Sequence, residues 1–240
     1  MDYWLKYLKA WLILRHKSLY KYIYPAGKEY TSFAILCTSR TGSTWLHTLL
    51  NSHTSILSHG EIINHHHKQG LQPELEEMVF HNYPNAIKAV GVKIFYGDDS
   101  IQYQKYLERV TADQSIKIIH LVRRNILAQY TSLKISERSW QWSMANSANL
   151  LEKITLNLSD YKQFETERLR IVKEITQQFK SHQFLVVAYE DLISNFESTM
   201  HDIQTFLGVK QKRLFSALQK QSTGELKDRI ENWSEFEKLI

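Results

Sequence analysis

The segment CTSRTGSTW, residues 37–45, carries side chains suited to holding an anion. It follows the apolar run FAIL and leads into a helical pattern, so we expect a strand, a tight loop and a helix N-terminus. Backbone N–H groups at such a terminus lack partners and, with the helix dipole, favour phosphate. Gly42 would let the backbone approach closely, Ser43 and Thr44 can donate hydroxyl hydrogen bonds, and Arg40 can pair through its fork of donors.

The same loop argues against a metal-dependent nucleotide triphosphatase. The pattern GxxxxGK[ST] is absent, and no obvious magnesium-binding carboxylate follows a strand. Small hydroxyl residues also make ordinary helix caps. The loop alone therefore leaves a phosphate site and a structural cap both open.

A second group of basic and hydroxyl residues follows the apolar run IKIIHLV. Arg123 and Arg124 come directly after it, and Ser132 lies eight positions beyond Arg124. Eight residues make about two helical turns, so Ser132 falls on nearly the same face as the start of the helix. A guanidinium and a hydroxyl that converge in this way can hold one phosphate. The alternative is two surface arginines and a neutral helix serine.

The elements that must position these residues alternate between strands and helices. Buried-strand patterns cover residues 33–37, 89–95, 116–122 and 184–188. Helical periodicity covers residues 44–50, 101–110, 126–135, 161–179 and 192–207. We therefore predict an α/β fold with a parallel sheet flanked by helices on both faces. Ligands of such folds bind at the carboxyl ends of the strands, where both basic groups lie.

Composition fits one domain of ordinary size. The chain has 240 residues, is 43% hydrophobic and has a net charge of +5, which suits an anionic ligand without requiring nucleic acid. The single Cys37 is expected to pack in the core. No apolar run is long enough to span a bilayer, so we expect a cytoplasmic protein.

Residues 1–24 alternate Trp, Tyr and Leu with Lys and Arg at near-helical spacing. The segment lacks the small-residue cleavage site of a secretory signal. An amphipathic helix packed on its own domain is favoured, because apolar stripes are more often core. Peripheral membrane contact through residues 1–24 is left open.

Together the motifs CTSRTGSTWLHTLL and HLVRRNILAQYTSL resemble the 5′-phosphosulfate loop and the 3′-phosphate motif of the sulfotransferase family. Two further blocks support the resemblance. The segment LVVAYEDLISNFESTMHDIQTFLGV resembles a strand and an amphipathic helix found toward the C-terminus of many members. The tail KQSTGELKDRIENWSEF is similar to the C-terminal segment that closes over the nucleotide in bacterial and Golgi-type members. The resemblance covers about residues 33–236 and is closest to bacterial and to carbohydrate- and tyrosine-modifying branches. It implies a P-loop-like sheet, with residues 31–240 as a single catalytic core and residues 1–30 as a helical extension.

The family transfers a sulfuryl group from 3′-phosphoadenosine 5′-phosphosulfate (PAPS) to a hydroxyl or an amine, and the resemblance implies this donor here without a metal. Its positions assign the 5′-phosphosulfate end to the loop residues Arg40, Thr41, Gly42, Ser43, Thr44 and Trp45. Arg124 and Ser132 fall to the 3′-phosphate. Arg123 stays an alternative to Arg124, because this chain has Arg124-Asn125 where the family often has Asp-Pro.

A base for the acceptor hydroxyl is expected after the first helix. Glu61, 21 residues beyond Arg40, falls where tyrosine- and carbohydrate-type members carry a catalytic glutamate. His59 is the competitor, because imidazole has a suitable pKa and other branches use histidine. We favour Glu61, with Arg40 as the catalytic cation. Lys93, in the strand VGVKIF, is a secondary candidate, whose neutral explanation is an edge position with its head in solvent.

The remaining features concern the acceptor. His65, His66 and His67 are expected in a polar loop near the acceptor entrance, since adjacent residues do not face one way and no metal set completes them. Trp140, Gln141 and Trp142 suit a sugar ring, a planar acceptor or a lipid. We therefore expect sulfuryl transfer to a carbohydrate, glycolipid or small metabolite. The alternative is a nucleotide-binding protein or small-molecule kinase without sulfuryl transfer; the sequence does not settle the oligomeric state.

Overall fold

A computed structural model describes residues 3–97, 101–139, 153–218 and 225–239. Its strands are β1 (Ala26–Gly27), β2 (Thr31–Cys37), β3 (Ile56–His59), β4 (Tyr83–Pro84), β5 (Ala89–Phe95), β6 (Lys117–Val122) and β7 (Phe184–Ala188). Its helices are α1 (Tyr3–Leu19), α2 (Ser43–Asn51), α3 (Ile62–Lys68), α4 (Leu75–Met78), α5 (Gln104–Ala112), α6 (Ile126–Ser139), α7 (Leu158–Gln178), α8 (Tyr189–Ser194) and α9 (Phe196–Leu207). Short 3₁₀ helices cover Tyr20–Tyr22, Ile101–Tyr103, Leu226–Arg229, Trp233–Glu235 and Glu237–Leu239.

Five strands form a parallel sheet in the order β3-β5-β2-β6-β7. The central strand β2 places Cys37 beside Phe95 of β5 and Leu121 of β6. The carboxyl ends of these three strands therefore meet at one edge of the sheet, and the loop at residues 38–42 starts there. β1 and β4 form a separate antiparallel pair.

Helices cover both faces of the sheet, because successive side chains of each strand point to opposite sides. From β2, Phe33, Ile35 and Cys37 enter one core cluster with buried residues of α2, α8 and α9. Ala34 and Leu36 enter the other cluster with buried residues of α3, α4, α5 and α7. This three-layer arrangement confirms the predicted α/β fold with a parallel sheet flanked by helices.

A third core cluster joins the C-terminal segment to α6 and α7. Phe236 is fully buried against Tyr161, with ring centroids 5.8 Å apart. Asn232 accepts a hydrogen bond from Leu156 N–H at 3.0 Å and donates one to Leu156 C=O at 2.8 Å. The end of the chain is thus fixed beside α6, the helix that carries Ser132.

The sequence analysis located the four longer strands and missed β3. The run ILSH of β3 is four residues long and half polar, so its pattern does not stand out. The prediction of one helix over residues 192–207 was wrong, because two helices, α8 and α9, cover this segment. Asn195 takes a non-helical conformation at φ −126° and ψ 41° between α8 and α9. Asn has a low intrinsic helix propensity, which favours such a break.

The N-terminal helix α1 is present, but its apolar stripe does not pack on the domain as expected. Lys17 and Tyr20 are buried, whereas Trp4, Trp11 and Leu12 are each about half exposed or more. The helix therefore contacts the domain through a narrow face. Within the described residues, no helix combines the length and hydropathy needed to cross a bilayer.

Candidate active site

The loop between β2 and α2 turns through two left-handed residues. Arg40 has φ 65° and Gly42 has φ 83°. A side chain at position 42 would place its Cβ 2.5 Å from Cδ2 of Tyr189, so both the backbone conformation and the adjacent ring require glycine. The left-handed Arg40 is a strained conformation for a residue with a side chain, and such strain concentrates at functional sites.

Two side chains from the β6–α6 region brace this loop. The Gln129 amide donates to Thr38 Oγ1 at 3.0 Å and to Ser39 C=O at 2.6 Å. Arg123 Nη1 donates to Arg40 C=O at 3.0 Å. The two motifs that the sequence analysis singled out are therefore fixed to each other.

The loop hydroxyls divide into structural and available groups. Thr41 is buried, and its hydroxyl donates to Thr38 C=O at 2.9 Å. Ser43, also buried, begins α2, and Thr44 follows it half-buried. An anion at this helix start would meet the first backbone N–H groups and the hydroxyls of Ser43 and Thr44, while the Thr41 hydroxyl shapes the loop.

Trp45 belongs to an aromatic wall behind the loop. Its ring lies 6.3 Å from Tyr189 in an edge contact and 6.3 Å from Phe196 in a stacked one. The guanidinium of Arg123 lies 4.6 Å from the centroid of the Tyr189 ring. Tyr189 therefore contacts both Trp45 and Arg123.

Three arginines converge at the loop. Arg40 Nε donates to Ser132 Oγ at 3.0 Å. Arg123 Nε is buried and has no hydrogen-bond partner among the described residues. Burial, together with the charges of Arg123 and Arg229, lowers the pKa of Arg40 to about 10, so the guanidinium stays charged at neutral pH. A positive cluster with an unused buried donor is suited to an anion.

The double arginine points in two directions. Arg123 turns toward the loop, whereas the side chain of Arg124 is 59% exposed and pairs with Asp191. The Glu190 carboxylate accepts hydrogen bonds from the N–H groups of Arg124 at 3.0 Å and Asn125 at 3.1 Å, which fixes the turn before α6. The structure brings Ser132 to Arg40, while the Arg124 side chain is exposed and pairs with acidic residues.

Glu61 lies between β3 and α3, and its carboxylate pairs with the amino group of Lys93. The Glu61 side chain is 50% exposed, while Lys93, two residues before the end of β5, is 1% exposed. The solvent-facing explanation of Lys93 was therefore wrong. Burial and the Glu61 carboxylate together raise the pKa of Tyr103 above its usual range. A half-exposed carboxylate held by a buried cation can accept a proton from a group that arrives from solvent.

The carboxylate and the loop share one edge of the sheet. At the end of β2, burial raises the pKa of the Cys37 thiol to about 11. β3, which leads into Glu61, and β2, which leads into the loop, run parallel and both pair with β5, so they end at the same edge of the sheet. The candidate base and the candidate anion site therefore lie at one edge.

His59, the competing base, is already engaged. Its Nε2 lies 3.0 Å from the hydroxyl of Tyr83. Burial and the nearby His81 lower the pKa of His59 to about 4, so the ring is neutral at physiological pH. The more exposed Glu61 is therefore better placed to meet an acceptor.

The sequence analysis did not include Gln129 or Arg229 among the site residues. The sequence positions of both residues indicate a place near the site. Gln129 lies three residues before Ser132, on the same face of α6, and Arg229 lies in the tail that the resemblance places over the nucleotide.

The three histidines lie in α3 and not in a loop, which corrects the sequence interpretation. Helix α3 is stabilised by Ile63, which packs into the core, and its first turn is closed by the hydrogen bond from His65 N–H to Glu61 C=O at 2.9 Å. Among the residues that the structure describes, no group of three or more His, Cys, Asp or Glu side chains is placed to hold a metal. Trp140, Gln141 and Trp142 fall outside the described ranges.

Comparisons with known proteins identify one matching family model and several similar proteins. The family model described as "Sulfotransferase domain" matches residues 31–238. Nodulation protein H of Rhizobium tropici is 26% identical over 220 residues, covering 85% of this chain and 87% of that protein. Nodulation protein H of Rhizobium meliloti (strain 1021) is 27% identical over 227 residues, covering 85% and 89%. Among solved structures, a sulfotransferase from Alicyclobacillus acidocaldarius matches with a TM-score of 0.47 and 15% identity, covering 82% of this chain and 87% of that one.

Proposed function

This chain belongs to the sulfotransferase family, and we propose that it moves a sulfuryl group from PAPS to a hydroxyl of a carbohydrate, glycolipid or small-metabolite acceptor. An amine is the less favoured acceptor. We further propose that residues 31–240 form the catalytic core, that residues 1–30 are an extension of it, and that the protein is cytoplasmic.

One observation supports this proposal most directly. Arg40, Ser132 and Arg123 meet at the left-handed loop, and the Arg123 Nε atom is a buried donor without a partner among the described residues. A buried donor left unpaired costs free energy, which a bound anion would recover. The donor set consists of guanidinium, hydroxyl and backbone N–H groups, which fits phosphate and sulfate esters.

At the donor end, we assign the 5′-phosphosulfate to the start of α2. Arg40 and the backbone N–H groups of residues 41–45 would bind it, with the hydroxyls of Ser43 and Thr44 as further donors. When bound, PAPS supplies the sulfuryl group and leaves as 3′-phosphoadenosine 5′-phosphate (PAP). Arg40 stabilises the negative charge that collects on the leaving phosphate, which is the usual source of rate in such transfers.

At the acceptor end, Glu61 takes the hydroxyl proton as the new S–O bond forms and the bond to the 5′-phosphate breaks. Lys93 fixes the carboxylate through their ion pair. A fixed carboxylate needs little reorganisation when the acceptor arrives, which lowers the entropic part of the barrier.

The two remaining arginines receive different roles in this proposal. Arg123 braces the loop through Arg40 C=O, so it serves every nucleotide that the loop binds. Arg124 is exposed, and an exposed ion pair such as the one with Asp191 is weak. Arg124 can therefore turn from Asp191 to a 3′-phosphate beside Ser132.

We expect PAP to bind without added metal and ATP to bind more weakly whether or not magnesium is present. The reason is that the loop lacks the lysine and the carboxylate that a magnesium-dependent site uses. Isothermal titration calorimetry with the two nucleotides, each with and without magnesium, measures this. Magnesium-dependent ATP binding at least as tight as that of PAP would favour the kinase alternative.

Arg124→Ala should weaken binding of PAP about tenfold to a hundredfold, because a charge-assisted hydrogen bond to the 3′-phosphate is lost. Binding of adenosine 5′-phosphate, which lacks that phosphate, should hardly change. Arg123→Ala is the matched control and should weaken both nucleotides, since it loosens the loop. If Arg123→Ala is instead the variant with the selective loss, the 3′-phosphate belongs to Arg123.

A further inference from the structure

Two lysines of helix α1 contact the domain. Lys17 is buried, and its amino group donates to Asn51 C=O at 2.9 Å and to Ile56 C=O at 2.5 Å, at the end of α2 and the start of β3. Lys9 Nζ lies 4.7 Å from the centroid of the Phe215 ring. The helix is therefore fixed in one orientation without burying its large apolar side chains.

The opposite side of α1 is an exposed apolar surface, which we call the outer face. Its members are between 45% and 74% exposed and are Trp4, Leu5, Leu8, Trp11 and Leu12. Their spacing of one, three and four residues places them on one side of an α-helix. Apolar surface of this extent, gathered on one face, marks an interaction site and not ordinary scatter.

The charge around the outer face is entirely basic. From residue 3 to residue 28 the chain has no Asp or Glu, and its cations apart from the buried Lys17 are Lys6, Lys9, Arg15, Lys21 and Lys28. Arg15 lies 5.5 Å from the Trp11 ring, so one cation borders the apolar side chains directly. Tyr22 and Tyr24, just past the helix, are also exposed. Trp and Tyr beside basic residues match the chemistry of a bilayer interface with anionic lipids.

We propose that the outer face of α1 docks the protein onto an anionic bilayer surface, with the helix lying in the interface plane. The apolar side chains enter the boundary between headgroups and acyl chains, while Arg15 and Lys21 stay at the phosphate level. A second copy of the chain is disfavoured as occupant, because self-association would bring two all-basic segments together. This docking goes beyond the proposed transfer reaction and does not depend on it.

Vesicle co-sedimentation of the full chain tests the proposal. Binding to vesicles of phosphatidylcholine with phosphatidylglycerol should exceed binding to phosphatidylcholine alone about tenfold or more, because several cations each add attraction to an anionic surface. At about 0.5 M salt, where charges are screened over a few ångströms, most of this difference should disappear. Equal binding to both vesicles, or none to either, would overturn the proposal.

The variant Leu8→Glu/Leu12→Glu should reduce binding to the anionic vesicles about tenfold or more, since two apolar groups become charged. Leu169→Glu is the matched control, because Leu169 is an exposed leucine on α7, and its binding should equal that of the wild type. Circular dichroism melts check that each variant is folded. An equal loss in both variants would assign the binding to nonspecific adhesion. A dimer detected by light scattering, broken by Leu8→Glu/Leu12→Glu, would assign the face to self-association and overturn the proposal.

Discussion

Replacing Glu61 by Gln is expected to lower the turnover of sulfuryl transfer about a hundredfold to ten-thousandfold, the usual loss when a general base is removed. The amide keeps the size of the side chain and can still accept a hydrogen bond from Lys93, but it cannot take the acceptor proton. Binding of PAP should hardly change, because Glu61 is not among the proposed phosphate contacts. Initial rates with PAPS and an acceptor that the wild type sulfates, together with PAP calorimetry, measure both quantities.

The ion pair with Lys93 adds a control to this experiment. Without the Glu61 charge, the buried Lys93 cation loses its counterion, so Glu61→Gln should also lower the melting temperature. Rates are therefore compared well below the melting transition. His59→Ala is the matched variant and should leave turnover near normal. Near-normal turnover in Glu61→Gln with collapse in His59→Ala would move the base to His59, and normal turnover in both would refute this assignment of the base.

Replacing Arg40 by Gly should lower turnover about a hundredfold to a thousandfold, the cost of removing one preorganised donor from a developing negative charge. Glycine is the informative replacement, since it adopts the left-handed conformation at φ 65° without strain. Thermal stability should therefore stay near that of the wild type. A large kinetic loss in a protein of unchanged stability would separate a catalytic role from a structural one.

Arg40→Lys is the companion variant. It keeps a positive charge but not the planar fork that contacts Ser132, so its turnover should fall between those of the wild type and Arg40→Gly. If Arg40→Gly loses stability and activity in parallel, Arg40 acts by shaping the loop, and its proposed role at the leaving phosphate is wrong.

The fold could be predicted from the sequence where the patterns are long and consistent. β5 was located to the residue because AVGVKIF is an uninterrupted buried run. β3 was missed because a four-residue strand at the sheet edge carries no such run. The break at Asn195 was missed because the apolar periodicity of α8 and α9 continues in phase across it.

The sequence predicted which residues belong to the candidate site, but not which of them contact one another. The Arg40 loop and Ser132 follow from motif and spacing, yet their 3.0 Å contact depends on how α6 packs beside β2. Which of Arg123 and Arg124 turns inward depends on the acidic pair Glu190 and Asp191, which is about 66 residues away in the chain and reaches them only through the pairing of β6 with β7. Long-range pairing of this kind leaves no periodic signal in sequence.

The convergence of Arg40, Arg123 and Arg229 also has an energetic consequence. The positive charges of these three side chains repel one another, and the packing of the loop, α6 and the tail keeps them close in spite of this repulsion. Such an unfavourable contact within a stable fold is called local frustration. An arriving dianion removes that repulsion as well as forming its own contacts. Under the proposed function, part of the affinity for the donor is thus already present in the fold, because the loop, α6 and the tail hold the three arginines together before the anion arrives.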